Sequence, residues 1–144
     1  MGDKTFPYDC TGLILAIYYA AGIDLLSYFN RYTGNGVARL YALNADFDLL
    51  NNNTIPQTGE LIFWDNTYDR NGDTKWNDEF THVGFVLSSD ESGNIQYIHL
   101  NYRKGIVIEY MNLKELDVYT KESGKIINSP MRMKSHRYIN PNAW

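Results

Sequence analysis

The chain has 144 residues, enough for one compact domain that buries roughly two-thirds of its unfolded surface. Hydrophobic residues make up 44% and charged residues 21%, a globular composition, and a net charge of -4 without a long basic run argues against a nucleic-acid partner. The single cysteine excludes an internal disulfide, no Cys/His spacing fits a zinc site, and no stretch reaches the ~20 apolar residues of a membrane-crossing helix.

The opening MGDKTFPYDC lacks the pattern of a signal peptide, and with the first strong helix signal so early a trimmed N-terminus is expected. Residues 10 to 21, CTGLILAIYYAA, are apolar around nearly the whole helical wheel, which predicts a central buried helix. Pro7 precedes it, Asp9 is placed to cap it, and Gly22 is a natural stop. Residues 24 to 35 read as a short helix or loop ending in TGNG, and 36 to 50 carry a weaker helical period. After NNNT the texture changes to strands: GELIFW (59 to 64), HVGFVLS (82 to 88), IQYIHLN (95 to 101) and GIVIEYMN (105 to 112). LKELD then suggests a short helix, and a loop-rich tail ends in NPNAW. Helix first and antiparallel strands after it is an α+β pattern within a single domain.

Cys10 falls in the first turn of the predicted helix. Free N–H groups and the helix dipole there favour a thiolate and could hold an oxyanion. The neighbouring Asp9 carboxylate opposes a thiolate, so a cationic partner is needed. The histidines that could supply one are His82, His99 and His136. A hairpin symmetric about the Asp90–Glu91 boundary sets His82 directly opposite His99, with Cβ atoms about 5 Å apart. His82 could then accept the thiol proton while His99, or its rival Asn101 on the same face, orients the imidazole. An ordinary core cysteine with two structural histidines fits the same residues. His136, in KSHRYI, reads as a surface residue, and Tyr18, Tyr19 and Trp64 read as core or cleft wall.

Between the first two strands lies DRNGDTKWND. Asp69, Asn71, Asp73 and Asn77 occupy relative positions 1, 3, 5 and 9, and Lys75 could offer its carbonyl at position 7. This is the oxygen spacing of a calcium loop, with Thr74 where glycine is usual and Phe80 where glutamate is usual; Asp78 or Glu79 could supply the missing carboxylate. A structural calcium pinning the approach to His82 is one expectation. An Asx-rich turn bonding its own backbone is the other.

DCTG (9 to 12), GELIFW, HVGFVL and YIHLN together resemble the NlpC/P60 family of papain-like cysteine peptidases and amidases, in the family's order, over about two-thirds of the chain. The resemblance implies a papain-like fold, with the cysteine-bearing helix packed on an antiparallel sheet. It implies Cys10 as nucleophile, His82 as general base and acid, His99 as third polar residue, and Asp9 and Thr11 lining the substrate cleft. The implied reaction hydrolyses an amide in a peptidoglycan peptide through an acyl-enzyme, needs no cofactor, and takes place outside the cytoplasm without membrane insertion. An amidase or acyl transferase on another substrate, or a silent calcium-stabilised binding module, would share the fold. Two features depart from the pattern: no tyrosine stands well upstream of DCTG, and the insertion before HVG is long.

Overall fold

A computed structural model of the chain describes residues 4–50, 54–75, 77–116, 118–131 and 141–143. Three helices, α1 (Cys10–Ala20), α2 (Leu26–Phe29) and α3 (Gly36–Asp46), precede β1 (Leu61–Trp64), β2 (His82–Ser89), β3 (Asn94–Asn101) and β4 (Gly105–Asn112), with β5 (Pro141–Ala143) last. The strands form one antiparallel sheet in the order β4-β3-β2-β1-β5, so the α+β expectation holds.

Asp9 begins α1 as expected. Its backbone is extended, and its carboxylate accepts the Gly12 N–H at 2.7 Å, satisfying one of the donors a helix start leaves free. The incoming chain folds back over this turn: a Cβ on Gly12 would lie 1.7 Å from the Pro7 carbonyl oxygen, so only glycine fits. The start of α3 closes in from the other side, where a Cβ on Gly36 would meet the Thr11 hydroxyl at 2.5 Å. The helix is less enclosed than its composition suggests. Thr11, Gly12, Ile14 and Leu15 are buried, but its second half is only partly covered and Ala20 is exposed. The sheet and α3 reach one flank and the first turns, not the far end.

The sheet has an apolar layer on each face. Ile14, Leu15, Val37 and Leu40 from the helices pack with Leu61, Phe63 and Val83 on one side. On the other, Ile62, Trp64, Val86, Ile95, Tyr97 and Met111 pack under Leu113 and Met131. All four residues of β1 are buried, which accounts for the unbroken apolar run LIFW: a strand covered on both faces has no polar side.

Two local expectations fail. Residues 113–116 of the LKELD stretch form a turn, in which the Asn112 side-chain oxygen accepts the N–H groups of Lys114 and Glu115. The β2–β3 hairpin is also not symmetric about Asp90–Glu91. Its turn runs from Asp90 to Asn94 around Gly93, which takes a positive φ of 83°, and an extra residue at Leu87 bulges β2. Continuing the Phe85↔Ile98 register sets Gly84 opposite His99, so His82 and His99 are diagonal neighbours on one face rather than a direct pair.

Candidate active site

Cys10 is the first residue of α1 and is partly buried. The Val83 N–H, from the peptide immediately after His82, and the hydroxyl and N–H of Thr11 lie close enough to its sulfur to favour the thiolate. The helix mouth and the start of β2 therefore meet at this atom. Burial pushes the thiol pKa up and the Asp9 carboxylate adds to the rise, outweighing those three groups. The depressed pKa expected of a cysteine at a helix start is not what this environment produces. Packing over the sulfur removes the water a thiolate would need.

His82 opens β2 and is half-buried, with its ring 5.6 Å from that of Trp64 and 4.9 Å from that of His99. Its Nε2 is 2.7 Å from His99 Nδ1. Burial, then the neighbouring His99, lowers the His82 pKa to about 3, with Glu109 opposing. His82 is thus neutral at neutral pH. Beside the two rings, Gly84 leaves room for Trp64 and Tyr97: a Cβ there would lie 3.0 Å and 3.3 Å from those rings.

His99 is 1% exposed, and its Nε2 is 2.9 Å from Oε2 of Glu109 on β4. The other Glu109 oxygen accepts a 2.8 Å bond from Lys104 Nζ. Burial works against the Glu109 charge, but the bonds from His99 and Lys104 outweigh it and hold the carboxyl below the ordinary glutamate range. Sequence reading missed Glu109. Its signal was present: GIVIEYMN places an acid at the same strand parity as Met111, which faces the core, where a charge persists only if paired.

The remaining candidates fall into place around this row. Asn101 does not reach the imidazoles; its side-chain oxygen accepts the N–H groups of Arg103 and Lys104 and shapes the β3–β4 turn. Asp9 is exposed at the helix mouth, whereas Thr11 is only 4% exposed, packed against Gly36, and supports the sulfur instead of lining an open cleft wall. Tyr8, 77% exposed, brings its hydroxyl to the β3–β4 turn, 3.2 Å from where a Cβ on Gly105 would be. Trp64 is core, and Tyr18 donates its hydroxyl to the Gly59 carbonyl at 2.9 Å. His136 lies outside the described residues.

In the 65–81 loop the acidic and amide groups turn onto their own backbone. Asp69 accepts from the N–H groups of Gly72 and Thr74, Asn71 from Asp73, and Asp73 from Lys75 and the Asn77 amide. Asp78 is buried and accepts the Arg70 N–H. Among the described residues no group of three or more His, Cys, Asp or Glu side chains converges as a metal site would require. At its base the loop is clamped by Thr81 N–H to the Trp64 carbonyl and by Thr67 to Thr81, which delivers the chain to His82.

A sequence model of the NlpC/P60 family matches residues 1–125, a span that holds Cys10, His82, His99 and Glu109 and all of β1 to β4. The chain belongs to the NlpC/P60 family. NlpC/P60 proteins are in general cysteine peptidases and amidases that hydrolyse cell-wall peptides, and the family also contains inactive members. No curated protein sequence and no solved structure matches the chain.

Proposed function

We propose that this NlpC/P60 chain is a cysteine hydrolase of papain-like arrangement that cleaves an amide bond in a peptidoglycan peptide, with Cys10, His82 and His99 as its catalytic groups. One juxtaposition supports the reading above all. The Val83 N–H lies close to the Cys10 sulfur and is next in the chain to the residue whose imidazole is bonded to His99 at 2.7 Å. Both the thiol and His82 are neutral at rest, so the nucleophile is generated during attack. The S–H proton passes to His82 Nδ1 as the S–C bond forms, and the Cys10 N–H at the start of α1 receives the negative oxygen. The imidazolium then protonates the leaving amine as the C–N bond breaks, and water releases the acyl group and restores the thiol. Burial of Cys10 and His82 disfavours a standing ion pair, and the transient charges of the reaction compensate each other locally.

Exposed Tyr8 and Asp9 at the helix mouth are the contacts offered to a peptide. Such a substrate lies outside the cytoplasm, and that is where the protein would act. No helix among the described residues is long and apolar enough to cross a membrane. The test is hydrolysis of soluble muropeptides followed by mass spectrometry. The native chain should release a new amine terminus and pass through a thioester adduct on Cys10, and Cys10→Ala should lower turnover by roughly a thousandfold or more. Native protein that neither turns over nor acquires the adduct would point to an inactive binding member of the family.

A further inference from the structure

The row Lys104–Glu109–His99–His82 crosses from the β3–β4 turn through β4 and β3 to the start of β2, each member within hydrogen-bond distance of the next. Every bond in such a row needs one donor and one acceptor, so the group at one end decides the protonation of all the others. A carboxylate can only accept. With Glu109 ionised, a neutral His99 must carry its single proton on Nε2, which leaves Nδ1 as a lone pair. That lone pair must in turn receive a proton from His82 Nε2, which leaves His82 Nδ1 bare. We infer that Glu109, anchored by Lys104, is a positioning residue that fixes the tautomers of His99 and His82 and so selects Nδ1 of His82 as the proton-accepting atom.

Among the described residues, the aromatic groups beside the row do not take over this task. Tyr97 gives its hydroxyl to the Met131 sulfur, and the Trp64 ring stacks beside His82 without an acceptor. Lys104 donates to one carboxylate oxygen, which turns the other toward His99. The consequence for catalysis rests on the proposed role of His82; the tautomers themselves do not.

The prediction is sharp for Glu109→Gln, which keeps the size of the side chain. Lys104 can bond only the amide oxygen, so the NH2 group faces His99. A donor there forces His99 to bare Nε2 and protonate Nδ1, and His82 to bare Nε2 and protonate Nδ1. The base is then blocked. Nitrogen-15 NMR of the histidine rings reads this directly. Native protein should show Nε2–H on both rings, and Glu109→Gln should reverse both and lower kcat at least tenfold with KM little changed. Adding Lys104→Met frees the amide to turn, so the double variant should regain the native ring pattern and part of kcat. A native pattern persisting in folded Glu109→Gln overturns the inference. So does native protein whose His99 carries its proton on Nδ1, a reading that needs no variant. Because the ring signals do not depend on turnover, an inactive native protein would refute the proposed function and leave this inference standing.

Discussion

Cys10 and His82 occupy positions that catalytic chemistry would use, yet desolvation holds each in its neutral form. For His82 this has a measurable thermodynamic side. Its folded pKa, about 3, is below the 6.5 of an unperturbed histidine, so between those values the unfolded chain binds a proton that the folded chain does not. Stability from this source is fully present above pH 6.5 and is lost as pH falls toward 3, by at most about 1.4 kcal/mol per unit. Glu109, lowered from 4.5, adds a loss of the same sign only further into acid. Urea denaturation between pH 6.5 and 4.5 therefore isolates the histidine, and His82→Gln should flatten the slope in that window. At the same scale, Gly12→Ala should cost about 1–3 kcal/mol or more, since its new methyl group would collide with the Pro7 carbonyl. A chemical melt of the variant gives the value. The mutated residue makes no bond to the imidazoles, so their NMR signals should keep the native tautomers in whatever fraction stays folded.

Among the elements, the β2–β3 hairpin teaches most about what local pattern can specify. The symmetric hairpin put His82 and His99 on one face although its register was off, because a shift of two residues changes which residue is opposite without changing the face. The bulge at Leu87 and the turn around Gly93 supplied that shift. The 65–81 loop shows the complementary case. Its Asp and Asn spacing fits either a cation or a set of backbone N–H groups, and in the folded loop the N–H groups are bonded to those side chains. Melting temperature should accordingly be the same in a chelator and in excess calcium. A clear rise with calcium would restore the metal reading for Asp69, Asn71, Asp73, Asn77 and Asp78.

For the molecule as a whole, the candidate site is a product of docking between layers. The sulfur arrives with α1 on one face of the sheet, while His82, His99 and Glu109 belong to the other. The link between them is the start of β2, where the Val83 N–H, next in the chain to His82, lies close enough to the sulfur to favour its thiolate. Two surface hollows of about 260 Å³ lie elsewhere, and neither is lined by Cys10, His82 or His99.

Taken by itself, the sequence determined what short-range physics controls. The Asp9 cap and the apolar run specify α1, the alternating strands specify the sheet, and the ordered motifs specify the family. Only the tertiary structure decided the strand register, the meeting of Lys104 and Glu109 with His99, and the protonation of Cys10 and His82. Those depend on which distant residues exclude water from a given atom and which donor comes to face which acceptor, and neither is encoded within any one segment.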